Sequence, residues 1–418
     1  MDLAGKKIVL GLTGGIACYK AAELTRALIA AGAQVQVVMT EAATRFITAV
    51  TMQALSGRTV YVDQWDSRVA NNMPHIDPTR DADAIVIAPC SADFLSKLVH
   101  GSCDDLLSTL CVARPAQVRL FIAPAMNVEM WQNPATQRNA RQAAEDGITL
   151  LGPAAGAQAC GETGMGRMLE PADLLEELVC AFAPKVLAGK KVLVTAGPTF
   201  EPIDPVRGIT NHSSGKMGYA VARAARHAGA TVTLVSGPVS LPTPAGVHRI
   251  NVQSAQQMHD AVMATIAGQQ VFIAVAAVAD WRVANASTQK LKKQGNGSMP
   301  QLRFEQNPDI LAAVAALPAG PYCVGFAAES ENLIENGRAK RERKSVPLLV
   351  GNLGPSTFGQ DTNELVLFDE SGHVTLPAGD KQALARDLVK EIARRLALAP
   401  SSPAAPAASA KEHRKRTA

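Results

Sequence analysis

Leu3-Ala4-Gly5-Lys6-Lys7-Ile8-Val9-Leu10 and Leu187-Ala188-Gly189-Lys190-Lys191-Val192-Leu193-Val194 are two versions of one start within a chain of 418 residues. Each runs into a glycine-rich turn, an Ala-rich pattern with helical spacing, and a second apolar strand. The first copy predicts a helix over 19–31 and a strand over 35–39; the second predicts a helix over 216–228 and a strand over 232–235. Even the joints correspond, Ala31-Gly32-Ala33 and Ala228-Gly229-Ala230. Each half therefore opens as a βαβ unit, in which a phosphate-bearing ligand can sit over a helix N-terminus. Similar starts followed by different middles imply two sites with two chemistries.

Further strands are predicted at 8–12, 84–88 and 119–123 in the first half, and at 192–196, 271–276, 323–326 and 348–351 in the second. Strands alternating with helices predict an α/β fold: two Rossmann-like or flavodoxin-like three-layer domains with mostly parallel sheets. The first domain is expected over 1–189, ending in a joint at Pro184 to Gly189 with its breakers Pro184 and Gly189. The second is expected over 190–398. Residues 399–418, rich in Ala, Ser and Pro and ending in basic residues, cannot bury a core and are expected to be disordered.

The chain is 47% hydrophobic and 19% charged, as in ordinary soluble α/β proteins. Of the net charge of +4, the tail stretch Lys411-Glu412-His413-Arg414-Lys415-Arg416 carries +3, so the body is nearly neutral. That balance, with 4% aromatic residues, argues against nucleic-acid capture. Seven scattered cysteines without CxxC spacing suggest neither disulfides nor zinc. No signal-peptide pattern or membrane-length apolar run is seen, and a reducing cytoplasm is the expected location.

In the first domain, Gly11-Leu12-Thr13-Gly14-Gly15-Ile16-Ala17 lets a ligand approach the backbone, although its spacing is not the dinucleotide fingerprint GxGxxG. It reads equally as a plain strand–helix turn. Ala88-Pro89-Cys90-Ser91-Ala92-Asp93-Phe94 and Pro124-Ala125-Met126-Asn127 follow apolar strands, at the ends where α/β ligands bind. An Asn there can offer its amide to a carboxylate or simply form a turn. Cys160 lies in a segment with four glycines, Gly156 to Gly166. On a mobile loop it can act as a lid donor or nucleophile, where most cysteines are small core residues. His75, shortly before a strand, has a pKa that makes it a usable base.

In the second domain, Thr210-Asn211-His212-Ser213-Ser214-Gly215-Lys216-Met217-Gly218 puts Asn and Ser at a helix N-terminus, suited to capping and anion binding. Met217 stands where a P-loop requires Ser or Thr, so a Walker motif is excluded. Lys290-Leu291-Lys292-Lys293 forms one basic cluster. Lys340, Arg341, Arg343 and Lys344 form another, with Lys340 and Lys344 on one helix face. Each cluster alone also fits a solvated charge run or a helix-dipole partner. Asp280, ending the run from Ala276, adds a carboxylate that with separate lysines can hold a nucleoside triphosphate and its metal.

Gly14 to Ala17, His75-Ile76, Ala88-Pro89 with Ser91 to Asp93, Pro124 to Asn127 and Gln158-Ala159-Cys160-Gly161 resemble the flavin-dependent cysteine decarboxylase family, and within it the phosphopantothenoylcysteine decarboxylases. The resemblance implies FMN held by Gly14, Gly15, Ile16, Thr40, Ser91 and Ser108. It implies His75 as base, Asn127 as holder of the substrate carboxylate, and Cys160 as the proton donor of the last step. The implied reaction oxidises the substrate thiol to a thioaldehyde, loses the carboxylate, and returns the electrons to give 4'-phosphopantetheine. Pro78 and Asp104 depart from the family pattern, which has Leu and Asn at the corresponding places.

Asp204-Pro205-Val206-Arg207, Asn211 to Gly218, Ala276 to Asp280, Asn307 to Ile310 and Gly325 to Glu329 resemble the phosphopantothenate–cysteine ligases. That resemblance implies two steps. The carboxylate of 4'-phosphopantothenate attacks the α-phosphate of CTP, giving an acyl-cytidylate and pyrophosphate; the cysteine amine then displaces CMP. It implies catalytic roles for Asn211 and Lys290. CTP would contact Ala274, Val275, Ala276, Asp280, Lys290, Asn307, Pro308, Asp309, Ile310, Phe326, Lys340 and Lys344, with Mg²⁺ at Asp280. A homo-oligomer is implied too, a dodecamer built from trimers and dimers. Two rivals stay open: a decarboxylase of another cysteine-ended substrate fused to an inactive ligase-like domain, and a non-enzymatic flavin-binding regulator.

Overall fold

A computed structural model of the chain describes residues 2–65, 77–292, 301–353 and 359–398. The chain divides into two compact units between Phe182 and Ala183. The first runs β1 (Lys7–Leu12), α1 (Cys18–Ala30), β2 (Gln34–Met39), α2 (Ala49–Ser56), α3 (Asp77–Arg80), β3 (Ala84–Cys90), α4 (Ala92–His100) and α5 (Leu106–Ala113). It continues with β4 (Arg119–Pro124), α6 (Val128–Gln132), α7 (Pro134–Glu145) and β5 (Thr149–Leu150). These five strands are parallel in the order β2-β1-β3-β4-β5. That is the flavodoxin-like order, whose reversal between β1 and β3 opens a crevice at the strands' C-terminal ends. β6 (Ala154–Ala157) and β7 (Thr163–Arg167) form a separate antiparallel hairpin, after which α8 (Pro171–Phe182) packs on α1. Alternate strand residues serve opposite faces: Leu10, Val86 and Phe121 join Leu24 and Leu28 in one layer, while Val9, Ile85 and Ile122 join Phe94 and Leu107 in the other.

The second unit runs β8 (Lys191–Ala196), β9 (Phe200–Pro202), β10 (Gly208–Thr210), α9 (Lys216–His227), β11 (Thr231–Ser236), β12 (His248–Asn251), α10 (Ala255–Thr265) and β13 (Val271–Ala274). It continues with β14 (Trp281–Val283), β15 (Phe304–Gln306), α11 (Ile310–Ala315), β16 (Tyr322–Glu329), α12 (Leu333–Lys344), β17 (Leu348–Leu353), β18 (Thr362–Asp369), β19 (Gly372–Asp380) and a last helix, Lys381–Leu398. Its large sheet is ordered β12-β11-β8-β13-β16-β17-β18-β19. Strands β12 to β17 in that order are parallel, which is the Rossmann arrangement with its reversal between β8 and β13; β18 and β19 add antiparallel strands.

The repeated start folds twice into the same local structure. Leu3 and Leu187 are both buried, and their N–H groups donate to Ala31 O (2.9 Å) and Ala228 O (2.8 Å). Gly5 and Gly189 follow at φ +74° and +71°, a left-handed turn that favours glycine. Lys6 O and Lys190 O then accept from Gln34 N and Thr231 N, each at 2.8 Å, registering the first strand against the second.

Three particulars differ from the sequence reading. The joint at 184–189 packs with the second unit, because Leu187 is a core residue there. The strand predicted over 271–276 ends at Ala274, so residues 275–280 leave the sheet before Asp280. β18 and β19 went unpredicted; polar Asn363 and Glu364 interrupt the apolar run of β18. His75 and residues 399–418 lie outside the described residues. Among the described residues, no helix is long and apolar enough to cross a membrane.

Candidate functional site

In the first unit the crevice between β1 and β3 is stitched by Thr13, a nearly buried residue that sequence reasoning passed over. Its hydroxyl donates to Pro89 O (2.8 Å) and accepts from Ser91 N (2.9 Å), tying the turn after β1 to the turn after β3. Ser91 caps α4 by accepting from Phe94 N. Thr40 sits after β2, its N–H on Leu12 O (3.0 Å), so these three strand ends converge. A Cβ on Gly14 would lie 2.7 Å from the Ala42 Cβ, whereas one on Gly15 would meet nothing within 4 Å. The turn thus packs on one side and stays open on the other. Exposed Ile16 and Tyr19 add apolar surface beside it. A narrow crevice with backbone N–H groups, hydroxyls and an apolar rim fits a flavin mononucleotide. Ser108 is fully buried and forms a capping box with Asp105 at the start of α5. Asp104, where the family has Asn, accepts from Lys97 Nζ at 2.9 Å.

Asn127 and Cys160 come together, and the reason is local. Asn127 is the N-cap of α6: its Oδ1 accepts from Met130 N at 2.9 Å, which leaves the amide nitrogen as the outward donor. The segment around Cys160, expected as a mobile loop, is the tip of the β6–β7 hairpin. Gly166, at φ +132°, donates no side chain where its carbonyl accepts from Met126 N (2.9 Å). Gln158 fastens the other strand, accepting from Val128 N at 2.9 Å. At the tip, Asn127 Nδ2 and Cys160 Sγ both donate to Oε2 of Glu162, at 3.3 and 3.4 Å. Cys103 and Cys160 are the two exposed cysteines. Burial pushes the thiols of Cys18 and Cys323 up to about 11 and Cys111 to about 12, as befits inert core residues.

In the second unit, a cleft of about 1050 Å³ opens where the strand order reverses, bounded by Thr195 and Gly197 on the β8 side and 274–280 on the β13 side. It gathers Asn211, Ala274, Val275, Ala276, Asp280, Asn307, Pro308, Asp309, Ile310, Phe326, Lys340 and Lys344. Asn211 Nδ2 donates to Ala277 O (2.8 Å), and Asn307 Nδ2 to Ala279 O (2.8 Å), so both amides brace the 275–280 segment. Asp309 caps α11 and pairs with Lys344; Lys340 lies 3.6 Å from Glu329. Burial lowers the Lys344 ammonium from its ordinary value, opposed by the charge of Asp280.

Helix α9 begins at Gly215 (φ +78°) without a side-chain cap, so the expected Ser or Asn capping does not occur. Lys216, set aside with the P-loop reading, lines the cleft and pairs with Asp361 at 2.7 Å. Nearly buried Lys381 lines it as well, and had no local signal in sequence. Lys290 is not among the cleft-lining residues. It is exposed beside a knot in which buried Asp204 accepts from Val206 N, Arg207 N, the Arg207 guanidinium and Leu291 N. The Arg207 guanidinium holds the Asp204 carboxyl well below the usual carboxylate range.

Residues 1–183 match the family model described as Flavoprotein, and residues 187–396 match the DNA/pantothenate metabolism flavoprotein C-terminal domain. The chain is 51% identical over 388 residues to the coenzyme A biosynthesis bifunctional protein CoaBC of Vibrio cholerae, covering 92% of this chain and 97% of that one. It is 47% identical over 401 residues to the Escherichia coli protein of the same name, covering 94% and 98%. A crystal structure of a C-terminal domain of CoaBC is 36% identical and covers 51% of this chain and 100% of its own, with a TM-score of 0.45. The two domains, in this order and matched over nearly the whole length of such relatives, make the chain a member of the coenzyme A biosynthesis bifunctional protein family.

Proposed function

We propose that the chain performs two consecutive steps of coenzyme A biosynthesis: CTP-dependent ligation of cysteine to 4'-phosphopantothenate in the second unit, and FMN-dependent decarboxylation of the product to 4'-phosphopantetheine in the first. The observation that carries this reading is convergence: residues far apart in sequence meet at the strand-order reversal of both sheets.

For the ligase, a carboxylate is a poor acyl donor and must first become a mixed anhydride with CMP. Lys340 and Lys344 offset charge on the triphosphate, and the amide of Asn211 orients the acyl group toward the cysteine amine. Mg²⁺ is commonly held by one or two carboxylates together with substrate phosphates, and exposed Asp280 suits that role. Lys290 approaches from the Asp204–Arg207 knot and stabilises charge in cytidylate formation.

For the decarboxylase, FMN supplies the two-electron oxidation and reduction that bracket loss of the carboxylate. Gly14, Gly15, Ile16, Thr40 and Ser91 hold it, with Ser108 behind them. Asn127 orients the substrate carboxylate, Cys160 donates the proton of the last step, and His75 is the base. The working assembly is a homo-oligomer, a dodecamer of trimers and dimers, in the cytoplasm.

The test is mass spectrometry of a reaction holding the protein, 4'-phosphopantothenate, cysteine, CTP and Mg²⁺. CTP-dependent 4'-phosphopantetheine is expected, and a Cys160→Ser protein should stop at the enethiol. No cysteine adduct from the wild type overturns the ligase assignment. Full reduction by Cys160→Ser overturns the role of Cys160.

A further inference from the structure

We propose that Glu162 is a positioning residue of the decarboxylase site, whose carboxylate holds the Asn127 amide until the substrate carboxylate exchanges with it. This rests on the reading that Asn127 receives that carboxylate.

The geometry leaves Asn127 little choice. Its oxygen is committed to Met130 N, so its outward group is Nδ2, and that donor already serves a carboxylate, Glu162 Oε2 at 3.3 Å. A second carboxylate on the same nitrogen would put two like charges side by side, which each disfavours. Substrate binding therefore displaces Glu162. The hairpin tip can allow this without unfolding: Gln158 N donates to Glu162 O at 2.8 Å, so backbone bonds fix the tip while the exposed side chain rotates. The same Oε2 accepts from Cys160 Sγ at 3.4 Å. Exchange thus frees both Asn127 and the proton donor at once, coupling arrival of the carboxylate to release of the thiol.

A residue that only supports structure weakens binding when removed. A placeholder strengthens it, because the apparent Kd equals the intrinsic Kd divided by the fraction of molecules whose amide is available. One exposed hydrogen bond of ordinary worth predicts a Kd about fivefold lower without Glu162.

The experiment is calorimetric titration of the FMN-loaded full-length protein with two unreactive ligands. One is 4'-phosphopantothenoyl-serine, which keeps the carboxylate and carries a hydroxyl in place of the thiol. The other is the matching ethanolamine amide, which lacks the carboxylate. Glu162→Gln and Glu162→Ala should tighten the serine compound about fivefold and leave the amide unchanged; in an Asn127→Ala background the gain should vanish. Unchanged or weaker serine binding in both variants, or equal tightening of both ligands, overturns the exchange while leaving the reaction assigned. A wild-type protein that binds neither ligand overturns the decarboxylase reading and the exchange with it.

Discussion

Gly166→Ala tests whether the hairpin must sit on the Met126–Asn127 segment for decarboxylation. The added Cβ would stand 2.5 Å from Met126 O and 3.1 Å from Asn127 O, both backbone atoms that cannot swing aside. The position is at φ +132°, where an L side chain costs about 1–3 kcal/mol. Relieving the clash also breaks the 2.9 Å bond from Met126 N to Gly166 O, worth about 1 kcal/mol net. Together these shift seating of the hairpin by about 2–4 kcal/mol. The side-chain bond left to hold the seat, Val128 N to Gln158, contributes about 1 kcal/mol, so the strain exceeds it. Decarboxylation kcat/KM should fall at least about tenfold, since each 1.4 kcal/mol is a factor of ten. The assay has an internal control: with CTP and cysteine supplied, the ligase unit should work at its usual rate and 4'-phosphopantothenoylcysteine should accumulate. The hairpin lies outside the parallel sheet, so thermal unfolding should barely move. Decarboxylation within about twofold of wild type would refute the claim that this seat positions Cys160, since the stated shift of 2–4 kcal/mol could not then exist.

Two further outcomes follow from the second unit. Lys344→Gln removes the buried end of the α12 cation pair and should raise KM for CTP by roughly tenfold or more, the worth of a charge-assisted hydrogen bond, with decarboxylation of supplied substrate unaffected; steady-state kinetics with varied CTP checks it. Asp204→Asn should lower the melting temperature and flatten its acid dependence. The Asp204 carboxyl is held below its ordinary 3.8, so its contribution is fully present above that pH and is lost as pH falls beneath it. Circular dichroism melts between pH 5 and about 2 should therefore converge for wild type and variant at the acid end.

The repeated start was legible because each of its parts has a local cause: a leucine to bury, a glycine for the left-handed turn, lysines at the solvent edge and an apolar strand. The same is true of Lys340 and Lys344, whose spacing alone puts them on one helix face. Their partners were not legible. Asp309 meets Lys344 across 35 positions of sequence, and only folding of β16 and α12 over α11 brings them together. The early end of β13 was hidden too, since Val275 and Ala276 are apolar enough to continue a strand, and it is the amides of Asn211 and Asn307 that hold the segment off the sheet. Glu162 gave no signal because a carboxylate at a glycine-rich tip is ordinarily a solvated turn residue; its meaning lies in the N-cap of a different helix. Asp204 read only as part of a recurring segment, and its burial against Arg207 and Leu291 needed three separate stretches of backbone.

One βαβ start serves two chemistries because the start supplies only the crevice, and what leaves the neighbouring strand end decides its size and charge. In the first unit the turn after β3 is drawn onto the turn after β1 by Thr13, keeping that crevice narrow, and the donors that face substrate come from the N-cap of α6 and from the hairpin tip. In the second unit β13 stops at Ala274, its continuation is braced away from the sheet, and the space becomes a cleft of about 1050 Å³ with Lys340, Arg343 and Lys344 from α12 along it. A redox step on one thiol needs a small site with a fixed amide and a single proton donor. Joining a carboxylate to a nucleotide needs room for two anionic partners and cations to hold them. The two ends of the same fold differ in those respects, and the difference is made by where one strand stops.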